Sequence, residues 1–340
     1  MEAITTVDCH VAGQLVRLVT GGMPRALGKN PADRATWFKR HADDLRRALV
    51  LPPRGHADMT VVALTEASPP AHAGLLFMDG GGYPRYGPAA AVAAATLCLE
   101  RRLIVTGEPD GPEQTLVFDT AVGAIRARAR VARTGADGAS AAQLRVKRVA
   151  LAVGPAFVHT ASSQVRRGAR RVPLDIAFGG DFFAIVDSEA AGVPLDRAHI
   201  EDLRRAGLEL CSEIDAQVTL AHPRLGRSQA LAGVVLTGPA SSELAHLRGA
   251  VVSRHGVVDR SSLSGSAAVM AVLDAMGIVV EGQPFVHEGT SGLTVEGTLV
   301  RRTALADLPA VELEVAASAW VVGEHVWHLH EEDPLRYGEA

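Results

Sequence analysis

Residues 259–277 read DRSSLSGSAAVMAVLDAMG. An acid, a base and a run of small polar residues lead into an alanine-rich apolar stretch, the pattern of a loop feeding the N-terminus of a buried helix. Such a terminus carries unsatisfied N–H groups and the positive end of the helix dipole, so it binds anions and favours ionised nucleophiles. No cysteine stands in the run; serines do.

An earlier segment repeats the pattern. GPAAAVAAATLCLE begins at Gly87 and SGSAAVMAVLDAMG at Ser264, and setting Gly87 against Gly265 overlays the two alanine-rich runs. Each is apolar on nearly every face, and a helix apolar all round must be wrapped by other structure. Small side chains permit close wrapping, so a helix threaded through a curved sheet is expected in each half. The two polar, glycine-bearing helix starts would together offer N–H groups and dipole ends to a single carboxylate.

The surrounding elements fit two α+β halves. ITTVDCHVAG, MTVVALTEA, AGLLFM, QTLVFDT and the arginine-rich AIRARARVAR alternate or run apolar as strands do. ATWFKRHADDLRRALV and RAHIEDLRRAGLELCSEIDAQV carry an apolar stripe with i,i+4 charges and are expected as helices. ARTGADGASAAQ is expected as a hairpin tip. A boundary is expected where LAVGPAF interrupts the strand pattern, dividing the chain into 1–152 and 153–317, with 318–340 returning to the first half. The second half holds RVPLDIAFGGDFFAIVD, QALAGVVLTGPA, GAVVSRHGVVD, FVHEGTSGLTVEGTLV and AVELEVAASAW as its strand series.

Composition narrows the function. With 340 residues, two domains of ordinary size are expected. A net charge of −4, with 34 Lys and Arg scattered along the chain, argues against a nucleic-acid partner. Neither a basic-then-apolar leader nor an uncharged apolar run of about 18 residues occurs, so a cytoplasmic protein without membrane association is expected. Cys9, Cys98 and Cys211 are odd in number and far apart, which suggests neither disulfides nor a metal site. A soluble protein acting on small molecules, with no metal site, fits best.

Several segments in order, VDCHVAGQLVRLVTGG, PPRGHADM, FMDGGGYPRYG, FGGDFFAIVD, VDRSS and DPLRYG, resemble the proline racemase family, which includes hydroxyproline 2-epimerases and trans-3-hydroxyproline dehydratases. The resemblance spans nearly the whole chain. It implies the two-domain diaminopimelate epimerase-like fold, pseudo-symmetric, each domain a curved sheet or barrel around a central helix, with the active site in the cleft between them. It further implies a small amino-acid substrate and a monomer or homodimer.

The resemblance also assigns roles. Family racemases place one cysteine at each helix start, one thiolate removing the α-proton and the other thiol returning one on the opposite face. Dehydratases keep the first cysteine and carry threonine at the second position. This chain has neither cysteine. In GYPRYGPA, a count without gaps puts Gly87 at the thiol position and Ala89 at the family histidine; a one-residue shift puts Tyr86 and Pro88 there instead. In DRSSLSGSAA, a straight count puts Leu263 at the second cysteine, and one deletion puts Ser262 there, with Ser264-Gly265-Ser266 over the polar-Gly-polar triplet. The deletion is preferred.

Tyr86 and Ser262 are therefore the expected catalytic residues. Asp259 is expected to take the substrate ammonium group, as the Asp of the family's DRS does, the plainer alternative being that it caps the helix. Gly87, Pro88, Ala89, Leu263, Ser264 and Gly265 are expected at the carboxylate cradle. In VDCHVA, Asp8 and His10 share one face of a strand, and Cys9 points to the core on the other. His10 is a second candidate base, although in this family the D-x-H pair looks mainly structural. Arg54, His56 and Asp58 of PRGHADM alternate along one side, either lining the cleft, with His56 touching substrate, or forming a buried network. Phe182 and Phe183 either wall the pocket or belong to the core.

Three functions follow from these expectations. The first is a one-base lyase of the dehydratase type, the second a diverged isomerase or epimerase of the same fold, and the third a pseudoenzyme that binds an amino acid without turning it over.

Overall fold

The computed structural model describes residues 2–104, 111–134, 143–224, 228–259 and 262–339. The hairpin tip expected over 132–143 lies mostly outside them, as do Arg260 and Ser261. Contacts between Cα atoms divide the chain into two compact units: Met1–Leu151 with Ala317–Ala340, and Ala152–Ala316.

The first unit contains β1 (Glu2–Val11), β2 (Gln14–Gly21), α1 (Pro31–His41), α2 (Asp43–Val50), β3 (Thr60–Thr65), β4 (Ala73–Met78), α3 (Pro88–Glu100), β5 (Glu113–Thr120), β6 (Gly123–Thr134) and the first part of β7 (Gln143–Arg167). The second continues β7 and adds β8 (Arg170–Phe178), β9 (Phe182–Asp187), α4 (Ser188–Ala191), α5 (Ile200–Gln217), β10 (Leu220–Ala221), β11 (Ser228–Gln229), β12 (Gly233–Gly238), β13 (Leu247–Ser253), β14 (Val258–Asp259), α6 (Leu263–Ala275), β15 (Pro284–Gly289), β16 (Thr294–Leu305) and β17 (Leu308–Ala317). The chain then returns to the first unit as β18 (Ala319–Leu329), which pairs antiparallel with β1 from Glu2↔Leu329 to Val11↔Ala319.

In the first unit the strand order is β7-β6-β5-β4-β3-β2-β1-β18, and α3 touches β1, β2, β3, β6 and β18. In the second the order is β17-β16-β15-β13-β12-β9-β8-β7, and β17 pairs with β7 again, closing the sheet on itself. The central helix α6 touches β8, β9 and β16. Residues 88–99 of α3 and 263–272 of α6 are all buried, as their apolar composition requires. The amphipathic helices cover the sheets from outside: Phe38 and Leu49 of α1 and α2 join Val61, Leu76 and Met78, and Leu203, Leu210 and Ile214 of α5 join Ile176, Phe182 and Val234.

Two expectations need correction. ATWFKRHADDLRRALV forms two helices broken at Ala42, whose φ of −145° lies outside the helical region. The break gives α2 an N-terminus with Asp43 and Asp44 in its first turn, where negative charge is favoured. LAVGPAF does not interrupt its strand: β7 runs unbroken through it. Gly154 there has φ +142°, and a Cβ would lie 2.9 Å from the carbonyl oxygen of Val311, so glycine allows β17 to close against β7.

The absence of space around α3 is testable. Ala94→Leu at its fully buried centre is expected to lower stability in urea by about 1–3 kcal/mol or to prevent folding. Ala32→Leu on the exposed face of α1 should change it by less than about 0.5 kcal/mol.

Candidate active site

The two wrapped helices begin differently. At α6, Ser262 is the N-cap: its Oγ accepts the Gly265 N–H at 3.1 Å and shares a 3.2 Å hydrogen bond with Ser264 Oγ. The Ser262 carbonyl receives the Ser266 N–H at 3.0 Å and the Ser266 hydroxyl at 2.7 Å. Ser262 is 4% exposed, and Leu263, the first helical residue, only 1%. Gly265 faces β13, where a Cβ would fall 2.4 Å from Val251 Cγ2, and Gly179 presses on the helix from the turn after β8, near Ser264 and Ala268.

At α3, Gly87 is the N-cap and has no side chain to offer, and Pro88 at the first helical position has no N–H. The space a side chain would fill is occupied. A Cβ on Gly87 would lie 2.9 to 3.3 Å from three ring atoms of Phe77 on β4. The helix starts thus match Gly87 with Ser262, not with Gly265, correcting the overlay expected from the alanine runs; Gly265 lies three residues into α6. Ala89 and Ser264 are both buried next to these starts.

Tyr86 directly precedes the cap of α3 and is half-buried. Burial pushes its phenol pKa up, so the proton is retained at ordinary pH. Such a group donates a hydrogen bond or a proton and is a poor base.

Asp259 ends β14, half-buried, with its backbone paired to Val251. The cap of α6 is Ser262, so the alternative of Asp259 as the capping acid is not what the fold uses.

The thiols take no part. Cys9, Cys98 and Cys211 are all buried, and burial raises each pKa to about 12. None stands at a helix start. Asp8 is held in a bidentate pair by Arg17 at 2.9 and 2.8 Å, and the same guanidinium donates to the carbonyls of Leu49 and Arg54. Residues 51–59 form turns rather than a strand, so Arg54, His56 and Asp58 do not alternate on one side. Arg54 binds Asp333 and the carbonyls of Leu335 and Arg336, while His56 Nδ1 accepts the Asp58 N–H at 3.1 Å. Phe182 and Phe183 are core. His10 is half-buried, and its Nδ1 has no partner among the described residues.

Sequence reasoning overlooked two residues here. His287 of β15 is 5% exposed and lies 2.7 Å from Ser266 Oγ through Nδ1. With the Ser266 hydroxyl donated to Ser262, the imidazole is the donor in that contact, so it stands one step behind the helix cap. Burial lowers its pKa to about 4, keeping it neutral. In sequence it is a lone histidine in a strand-like run; its inward face was readable from the alternation, its partner was not. Phe77 likewise read only as one more apolar residue of AGLLFM.

A duplicated frame in which a sheet encloses a small-residue helix and only the helix start is polar defines an epimerase-like fold. The chain belongs to the proline racemase family, whose model matches residues 6–340. It is 31% identical over 340 residues to a proline racemase of Clostridioides difficile, covering 99% of this chain and 98% of that one. It is 32% identical over 340 residues to a trans-3-hydroxy-L-proline dehydratase of Azospirillum brasilense, with the same coverage. In structure it is similar to a hydroxyproline epimerase from Agrobacterium vitis solved with bound trans-4-hydroxy-L-proline, with a TM-score of 0.86 and 26% identity, covering 100% of this chain and 95% of that one. Among the described residues no helix is long and apolar enough to cross a membrane.

Two outcomes follow from this geometry. Gly87→Cys should destabilise the protein by about 1–3 kcal/mol through collision with Phe77, and Phe77→Leu should recover part of that loss, read as positive coupling in a double-mutant cycle. For His287 the folded pKa lies below the unfolded value, so its contribution is complete above about pH 6.5 and is lost as pH falls toward 4. The expected acid loss is about 3 kcal/mol, and His287→Gln should flatten the stability profile in that window relative to the parent.

Proposed function

We propose that this protein is a cofactor-independent one-base lyase acting on a proline- or hydroxyproline-like amino acid, similar to the trans-3-hydroxyproline dehydratases, and not a two-thiol racemase. One observation carries the reading. All three thiols are buried and protonated away from the helix starts, while the start of α6 carries a hydroxyl, Ser262. Racemisation needs proton exchange on both faces of Cα. Dehydration needs it on one: a base takes the α-proton, the C–H electrons form the new double bond, the Cβ–O bond breaks, and the departing hydroxide leaves as water after receiving a proton.

Asp259 is assigned to the substrate ammonium group, and the first-turn N–H groups of Leu263 and Ser264 to its carboxylate, with Ser262 and Gly265 shaping that turn. Tyr86, with its proton retained, suits the donor that releases the hydroxyl. His10 is assigned as the base over Tyr86, which would have to ionise to serve; the Nδ1 of His10 is buried, so Nε2 is the ring nitrogen assigned to the substrate. Gly87, Pro88 and Ala89 shape the start of α3, where Pro88 contributes no donor.

A second reading, binding without turnover, is favoured by the engagement of Ser262 Oγ with Gly265 and Ser264, which leaves it a cap more than a reagent. Proton NMR in deuterated water with L-proline, trans-4-hydroxy-L-proline and trans-3-hydroxy-L-proline separates the two. The expected outcome is loss of the 3-hydroxyproline α-proton with formation of an unsaturated ring, abolished in His10→Gln and in Asp259→Ala. Saturable binding without exchange would favour the second reading, and inversion of proline would overturn both.

A further inference from the structure

The second unit contains a cavity of about 410 Å³ at the end of α6 remote from Ser262. One wall is a helix stripe, Val269, Val272, Leu273 and Met276, spaced three and four residues apart and so on one face. Val272 lies about 15 Å along the axis from Ser262, so the cavity shares the helix with the candidate active site but not its polar end.

The opposite wall is acidic at the open end of the sheet, where Asp175 is half-buried and Asp187 exposed. Along the face of β8, β9 and β12 turned toward α6, Ala177, Phe183 and Val235 pack on the helix. Two residues further toward the cavity, the same face carries Asp175 on β8, Ile185 and then Asp187 on β9, and Thr237 on β12, in the cross-strand pairs Asp175↔Ile185 and Asp187↔Thr237. The face that is apolar against the helix thus turns acidic at its exposed end, beside the aliphatic side chains of α6. Each carboxylate is fixed through one oxygen: Asp175 Oδ1 accepts the Ser162 N–H at 2.8 Å, and Asp187 Oδ1 accepts the Ala190 N–H at 2.9 Å. No lysine or arginine lines the cavity. The cation on the last turn of α6, Arg302, is bound to Asp274 and the Val279 carbonyl. The C-terminal dipole of α6 adds negative potential, with no basic residue in its last turn.

We propose that this cavity is a second binding site, for a small organic ammonium ion with an aliphatic chain. The chain lies along Val269, Val272, Leu273 and Met276, and the ammonium group sits between Asp175 and Asp187 with Thr237 beside it. Two negative charges without a lining cation select against anions, and the aliphatic wall selects for a chain over a hydrated inorganic cation. Met276, 65% exposed at the rim, is the adaptable residue over which the chain enters.

The site is separate from the proposed reaction, so its test does not depend on turnover. The protein has six methionines, and labelling their methyl groups with carbon-13 places a reporter, Met276, on the cavity, with Met23 and Met59 of the first unit as references. Titration with n-hexylammonium to about millimolar concentration should shift the Met276 methyl saturably. Hexanoate and 1-hexanol should bind about tenfold more weakly or not at all. Asp175→Asn keeps the oxygen that accepts from Ser162 and is expected to weaken hexylammonium about tenfold. The Asp175→Asn, Asp187→Asn double variant should weaken it further, and the single variant suffices if loss of the Asp187 cap unfolds α4. No saturable shift in the folded protein, an equal response to hexanoate or hexanol, or undiminished affinity in Asp175→Asn would overturn the proposal.

Discussion

Everything in this molecule is arranged around two helices that have no polar face. A helix apolar on every side can satisfy its backbone internally except at its ends, and its side chains tolerate no water, so a sheet must pass around it. Alanine and glycine set how closely the sheet approaches. In the second unit the approach is tight enough that Gly179, Gly265 and Gly297 each have no room for a methyl group, facing Ala268, Val251 and Met270 respectively. What remains available for chemistry is the first turn of each helix, where N–H groups lack intrahelical acceptors.

The same burial sets the state of the chain's own thiols. A thiolate needs solvation or a nearby positive pole, and Cys98, buried two residues from the end of α3, has neither; desolvation therefore dominates its titration. Moving a cysteine to the α3 start meets a second obstacle, because Phe77 fills that space. Position 87 has no side chain, a ring from the neighbouring strand packs there, and it opposes the introduction of any side chain.

Much of the fold was legible in the sequence because it rests on periodicity. Strand alternation placed Cys9 in the core, and the all-apolar runs announced wrapped helices. The misses came from interactions that period does not encode. Ala42 breaks a continuous helical stripe because Asp43 and Asp44 favour a fresh N-terminus, and Gly154 continues a strand that its Gly-Pro sequence appears to end in isolation, because β17 needs close access. In the candidate site, Ser262 was readable from the polar run before the helix, whereas His287 and Phe77 reach the helix starts across the sheet, and a long-range contact leaves no mark on local spacing.

The two helix starts differ in the side chain at the cap. At α6, Ser262 Oγ has already taken the Gly265 N–H, leaving those of Leu263 and Ser264 without intrahelical acceptors, and the cap itself is braced from behind by Ser266 and His287. At α3 the cap has no side-chain oxygen, Pro88 has no N–H, and Ala89 and Ala90 likewise offer two donors. The two starts therefore match in free donors, and what distinguishes α6 is the braced hydroxyl of Ser262 at its cap. In side chains the two starts are not a matched pair: one cap carries a hydroxyl held by its own first turn, and the other carries none.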